Sequence, residues 1–168
     1  MRLNSNMKGL KISDYQPGAI GRITELHALF YSEHYYFGLF FESKVTTELA
    51  EFLNRFNSSK DGFWIALLKN KIIGSIAIDG IASENDGMHL RWFIVEPKYH
   101  RQGIGTILLK TAIDFCQTIH AKRVYLWTFS DLTAARHLYE KFGFNLVQEQ
   151  EGTTWGIQVK EQLFALNL

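Results

Sequence analysis

The sequence predicts an α/β layer fold of the α+β type, a mixed but mostly antiparallel sheet of about seven strands flanked by about four helices. Three observations carry this. Helix-period segments fill the first third, whereas strands and helices alternate from about residue 90 onward. The 168 residues, 46% hydrophobic and 21% charged, are enough for one domain with a real core. No repeat, low-complexity tract or linker divides the chain, so a single domain is expected over residues 10–168, with residues 1–9 as a flexible lead-in.

The elements follow from local pattern. Residues 10–15 alternate as a first strand, and Pro17-Gly18 marks a turn. Ile20, Ile23, Leu26, His27 and Phe30 share a helix face, after which residues 34–41 read as an irregular aromatic stretch broken by Gly38. Leu49, Phe52, Leu53 and Phe56 stripe a second helix from about residue 45 to 56. Residues 63–68 and 72–76 flank Lys69-Asn70-Lys71 as a hairpin, and Asn85-Asp86-Gly87 turns into a strand at 90–95. A third helix starts at the glycines 103 and 105 and carries Ile104, Leu108, Ala112, Phe115, Cys116 and Ile119. Residues 124–128 form a buried-type strand, and Leu132, Ala135, Leu138, Tyr139 and Phe142 stripe a fourth helix ended by Gly143. Residues 144–148 and 158–166 complete the sheet.

Composition excludes several roles. A net charge of +1 without a Lys/Arg block argues against nucleic-acid and polybasic membrane partners. No apolar run approaches the ~20 residues of a membrane span, and the N-terminus lacks a signal-peptide core. One cysteine precludes an internal disulfide, so the cytoplasm is the expected location. His27 and His34 have no converging third ligand in the sequence, and no metal is expected.

The most specific stretch is Tyr99-His100-Arg101-Gln102-Gly103-Ile104-Gly105-Thr106. A strand ends at Val95-Glu96-Pro97, a glycine turn follows, and a helix begins. Glycines let backbone approach a ligand, and free N–H groups at a helix start attract a phosphate or pyrophosphate. This segment resembles the acyl-CoA-binding signature of the GNAT N-acetyltransferases, Arg/Gln-x-x-Gly-x-Gly/Ala after a strand ending in Val-x-Pro. Val95, Pro97, Gly103 and Gly105 agree with it, and His100 stands where the family usually has Arg or Gln. Downstream, Ala134-Ala135-Arg136-His137-Leu138-Tyr139-Glu140-Lys141-Phe142-Gly143-Phe144 is similar to the family's Ala-x-x-x-Tyr-Glu-Lys-x-Gly-Phe helix, with Leu132 in place of its usual Asn. The hairpin with Ile73-Gly74-Ser75 is the third agreement. A looser likeness, through Leu126-Trp127-Thr128 and Trp155-Gly156, is to the acetyltransferase half of MarR–GNAT fusion proteins, here without a winged-helix half.

The resemblance implies the GNAT fold, with its sheet splayed between the strands at 90–95 and 124–128 to admit acyl-CoA. It implies acetyl transfer from acetyl-CoA, as cosubstrate, to a primary amine on a small molecule or peptide by direct attack in a ternary complex. The cofactor-binding residues would be Phe93, Ile94 and Val95 along the strand and His100, Arg101, Gln102, Gly103, Ile104, Gly105 and Thr106 at the turn. Tyr139 would protonate the departing thiolate, and His89, four residues before Phe93, would be the general base at a reference pKa of ~6.5, with Glu84 or Asp86 as alternatives. Arg91 reads as a partner for a carboxylate of the sheet or as a substrate contact, and Cys116 as a small core residue. Aromatic residues between 31 and 41 suit either a cationic acceptor or a core or homodimer surface. The alternative function is a non-catalytic acyl-CoA-binding sensor or scaffold. A Rossmann or P-loop domain lacks its required motif here.

Overall fold

The computed structural model describes residues 7–168. Its seven strands are β1 (Lys11–Ser13), β2 (Gly62–Leu68), β3 (Lys71–Asp79), β4 (Met88–Val95), β5 (Arg123–Phe129), β6 (Asn145–Gly152) and β7 (Val159–Asn167). They form one sheet in the order β1-β2-β3-β4-β5-β7-β6. Every neighbouring pair is antiparallel except β4 and β5. Four α-helices pack on it: α1 (Ala19–Tyr35), α2 (Leu39–Asn54), α3 (Ile104–Thr118) and α4 (Thr133–Lys141).

Strand alternation sends side chains to two separate cores. In β2, Phe63, Ile65 and Leu67 meet Ile23 of α1 and Val45, Leu49 and Phe52 of α2. The alternate residues Ala66 and Leu68 join Leu108, Leu109, Ala112 and Cys116 of α3. Both faces of the central strands are therefore buried, which is why β3 reads as a nearly continuous apolar run. Each fully buried Leu or Ile contributes about 1.5–3 kcal/mol, and α3 aligns its buried residues one helical turn apart, from Ile104 through Leu108 and Ala112 to Cys116. The edge strand β6 is polar and exposed along nearly all its length.

Two boundaries differ from the sequence expectation. The second helix begins at Leu39, not at about residue 45, and the aromatic stretch is divided between α1 and α2. Phe41 is the first member of the buried stripe Phe41, Val45, Leu49 and Phe52. That packing recruits one more turn than local propensity indicates. At the other end of the chain, the expected lead-in falls mostly outside the described residues, but Met7 is only 2% exposed and packs in the α3-side core.

Candidate active site

The sheet opens where its one parallel pair begins. β4 and β5 are in register only at Met88 with Val124 and His89 with Tyr125; beyond His89 the strands part, and the β5-facing amide groups of β4 lose their ladder partners. β4 is also bulged. Ala77 opposes Arg91 and Ser75 opposes Ile94, so Trp92 and Phe93 together face Ile76. Trp92 adopts φ +46°, a left-handed conformation that costs a non-glycine residue about 1–3 kcal/mol. The surroundings hold it there. The Ser75 hydroxyl donates to the Trp92 carbonyl at 2.6 Å, and the Arg91 guanidinium lies 4.1 Å over the indole. Arg91 is itself fixed by Asp79 of β3 at 3.3 Å, the expected carboxylate of the sheet, and also by Glu48 of α2. The result is a cleft of about 1050 Å³ that runs from the start of α3, through the gap, to the aromatic ends of α1 and α2.

At one end of the cleft the backbone forms a cradle. Arg101 at φ +58° and Gly103 at φ +85° flank Gln102, and Gly103 is the N-cap of α3 with no side-chain cap. The first helical bond runs from Ile107 N–H to the Gly103 carbonyl at 3.0 Å, which leaves the N–H groups of Gly103, Ile104, Gly105 and Thr106 without intrahelical acceptors. All four residues and Arg101 line the cleft. Successive N–H groups in such a turn form an anion-binding concavity, with the positive end of the α3 dipole behind them. A Cβ at Gly105 would stand 3.4 Å from both Leu138 and the Phe93 ring, so a side chain there would fill the mouth of the cradle. These features fit a bound pyrophosphate.

His100, the departure from the family signature, has a local role. Its Nε2 lies 2.7 Å from the Val95 carbonyl and, as donor, ties the turn to the end of β4. Gln102 turns away, its side-chain amide donating to the Lys98 carbonyl at 3.2 Å. Phe93, Ile94 and Val95 all line the gap, with Ile94 and Val95 paired on their other side to Ser75 and Gly74.

Tyr139 faces the same gap from α4. Its ring packs 6.1 Å from Phe93, 5.9 Å from Phe144 and 6.3 Å from Phe164, centroid to centroid. Burial, and then the neighbouring phenol of Tyr31, raise its pKa far above the ordinary tyrosine value. It is a protonated phenol at every working pH.

His89 lines the cleft, but its ring is stacked on Tyr125 at 4.5 Å and 11°. Burial and the positive charge of Arg91 push its pKa down to about 3, against the opposing pull of Asp79. The sequence reading gave it a titration near 6.5; in the structure the ring is neutral throughout the physiological range and a weak proton acceptor. The alternatives Glu84 and Asp86 lie in the exposed turn before β4 and do not line the cleft. Activity should therefore show no limb near pH 6.5 that depends on His89. A pH–rate profile of His89→Ala parallel to the parent between pH 5.5 and 8.5 is the expected result; loss of a limb near 6.5 would restore His89 as the base.

Burial also lowers the pKa of His27 to about 4, while its Nδ1 lies 2.8 Å from the Ile23 carbonyl. The sign for stability follows. Below pH ~6.5 the unfolded chain binds protons at both imidazoles and the folded chain does not, so stability is complete above 6.5 and falls as pH drops toward 4. His27 alone accounts for on the order of 2 kcal/mol at pH 5. Urea unfolding midpoints should fall from pH 7 to pH 5, and His27→Gln should flatten that slope; an unchanged slope would refute the assignment.

The far end of the cleft holds groups that sequence reasoning missed. Lys44 and Glu48 of α2, Thr128 at the end of β5, and Gln150, Thr154, Trp155 and Glu161 around β6 and β7 all line it. Thr128 and Trp155 belong to the looser family likeness, which gives them no place in a site, and the other five belong to no local motif; strand pairing and the β6–β7 connection bring them together. The bulge at Trp92 likewise has no signal in the sequence, since nothing marks a tryptophan for φ > 0. Among the described residues no group of three or more His, Cys, Asp or Glu side chains is placed to hold a metal.

A seven-stranded sheet split beside a bulged strand, with an uncapped glycine turn at the mouth of the split, defines a GNAT-type acetyltransferase domain. The chain belongs to that family: the profile described as "Acetyltransferase (GNAT) family" matches residues 22–144. It is 33% identical over 85 residues to the N-acetylaspartate synthetase of Xenopus tropicalis, covering 51% of this chain and 31% of that protein. It is 30% identical over 80 residues to the spermine/spermidine N(1)-acetyltransferase of Bacillus subtilis, covering 47% of this chain and 53% of that one. The matched segment thus spans about a third to a half of these relatives. Two solved structures share the fold: an acetyltransferase from Streptococcus agalactiae, with TM-score 0.75, 23% identity and coverage of 96% and 99%, and yncA from Salmonella typhimurium with its cofactor acetyl-CoA, with TM-score 0.75, 16% identity and coverage of 95% and 94%. No described helix is long and apolar enough to cross a membrane.

Proposed function

We propose that the domain is an acetyl-CoA-dependent N-acetyltransferase acting on a primary amine by direct attack in a ternary complex. The observation that carries this reading is the continuity of the cleft, in which the uncapped turn at 103–106, the unpaired edge of β4, Tyr139 and the aromatic end lie along one channel. The N–H groups at 103–106 would hold the pyrophosphate, with Arg101 beside them. The β5-facing amides of β4 would align the pantetheine arm, and an N–H at the Trp92–Phe93 bulge would donate to the thioester carbonyl as it gains negative charge. The amine nitrogen then bonds to the acetyl carbon, the carbon–sulfur bond breaks, the amine proton leaves to solvent, and the thiolate is received by the Tyr139 hydroxyl.

Magnitudes decide how the amine is deprotonated. Releasing a proton from an amine of pKa ~10.4 to water at pH 7 costs about 4–5 kcal/mol. Passing it directly to an imidazole with a pKa of about 3 would cost roughly 10 kcal/mol. Bulk equilibrium wins, and the domain contributes chiefly proximity and carbonyl polarisation. The rate should therefore keep rising with pH toward the acceptor's own pKa. The single buried thiol, Cys116, supports a cytoplasmic setting.

The test is a panel of primary amines incubated with acetyl-CoA while free CoA thiol is followed. Thiol release that depends on an amine supports the reading. Acetyl-CoA binding without amine-dependent release would replace it with the sensor or scaffold alternative.

A further inference from the structure

The far end of the cleft contains a buried carboxylate with no cationic partner among the described residues. Glu161 of β7 is 3% exposed, lines the cleft, and forms no ion pair with any described Lys, Arg or His. The other acid lining the cleft is occupied: Glu48 is paired with Lys44 and Arg91. Glu161 is nevertheless held as an anion. The Thr154 N–H donates to its Oε1 at 2.9 Å and the Gln150 amide to its Oε2 at 3.3 Å. Burial raises its pKa, but these hydrogen bonds more than offset that and the net displacement is downward. Two neutral donors leave lone pairs unused on both oxygens. A carboxylate this buried is ordinarily paired with a cation.

Its surroundings are those of a cation site. Glu161 is the register partner of Phe129, and their side chains share the face of the sheet that carries α1 and α2. Phe129 lies 5.8 Å from Trp155, 5.0 Å from Tyr35 and 5.3 Å from Phe37, and Tyr31 and Phe41 continue the wall. Aromatic faces attract an ammonium group and resist an anion. His27 at the base of this wall is held neutral by burial and adds no competing charge.

We infer that this end of the cleft receives a protonated amino group of the acceptor, bound by Glu161 among these rings, and that the substrate class is a diamine or longer polyamine. The charged group there is distinct from the nitrogen that reacts. A buried carboxylate favours the protonated amine, and a protonated amine cannot attack a thioester. The acetylated nitrogen is therefore the other end of the molecule, aimed back toward Phe93 and Tyr139. This inference rests on the acetyltransferase reading for its chemistry, but the cation site can be measured without turnover.

The experiment compares 1,5-diaminopentane with 1-aminopentane and L-aspartate, using acetyl-CoA and thiol release for kinetics and calorimetry for binding. The diamine should exceed the monoamine by about tenfold or more in kcat/KM, and aspartate should not be used. Glu161→Gln, which keeps the size, the bond from the Thr154 N–H and, with the Gln150 amide flipped to accept, the Gln150 contact, should abolish that preference through KM and weaken calorimetric diamine binding by about tenfold. Trp155→Leu should weaken it about threefold. Retained acetyl-CoA-induced thermal stabilisation certifies that each variant is folded. Equal use of the two amines, preference for aspartate, or undiminished diamine binding in Glu161→Gln would overturn the inference. If no amine releases thiol but the diamine binds and Glu161→Gln loses it, the catalytic reading fails and the cation site stands.

Discussion

Gly103→Val should abolish the thermal stabilisation that acetyl-CoA confers on the parent. Two effects combine at this position. The backbone sits at φ +85°, where a β-branched residue is strained by about 1–3 kcal/mol. A branched side chain would also crowd the concavity formed by the N–H groups of 103–106, displacing a phosphate from hydrogen-bond distance. The first effect lowers the melting temperature without ligand; the second removes the ligand-dependent increment, which at 100 times Kd is about 2.7 kcal/mol in the parent. Gly103→Asn separates them, because Asn tolerates the left-handed region and relieves most of the strain. The Asn variant should melt close to the parent when free and still lose most of the acetyl-CoA increment. A folded Gly103→Val protein that retains the full increment would show that the turn at α3 does not hold the pyrophosphate.

The uncapped glycine turn at the start of α3 is legible in the sequence because all its parts are local. A strand end, Pro97, two glycines one residue apart and a helix stripe lie within a few residues of each other, and each has a conformational reason to be where it is. Tyr139 was legible for a similar reason, since the spacing of Leu132, Ala135, Leu138, Tyr139 and Phe142 fixes which side of α4 it occupies. Long-range features were not legible. The splay depends on β4 and β5 sharing only two register pairs. The bulge depends on Ser75 and on the Arg91 clamp closing around Trp92. Nothing in the local sequence singles out Glu161 within the terminal strand, and its hydrogen bonding is decided by the return of the chain at Thr154. The reading of His89 shows the same limit from another side. Its position could be counted along the strand, but its proton affinity is set by Tyr125, Arg91 and Asp79, which strand pairing assembles around it.

Tyr139→Phe should lower kcat by roughly 10²-fold while leaving acetyl-CoA affinity nearly unchanged. The size of the effect follows from the state of the phenol. A full proton transfer in general acid catalysis is worth about 10²–10⁴. Here burial and Tyr31 raise the phenol far above its ordinary pKa, whereas an ordinary thiol has a pKa of ~8.5. Complete transfer to the thiolate is therefore uphill, and the hydroxyl acts mainly as a hydrogen-bond donor to the sulfur as charge develops on it. A hydrogen bond to a charged group contributes about 1.5–3 kcal/mol, or roughly 10- to 150-fold, which places the expected loss at the low end of the general-acid range. The interaction strengthens only as the carbon–sulfur bond breaks, so it appears in kcat and not in binding. Phenylalanine preserves the packing against Phe93, Phe144 and Phe164, so the unfolding midpoint should hardly move. Pre-steady-state measurement of thiol release isolates the chemical step from product departure. A Tyr139→Phe variant whose single-turnover rate equals the parent's would assign the hydroxyl no part in thiolate departure and leave Tyr139 as a wall of the gap between β4 and β5.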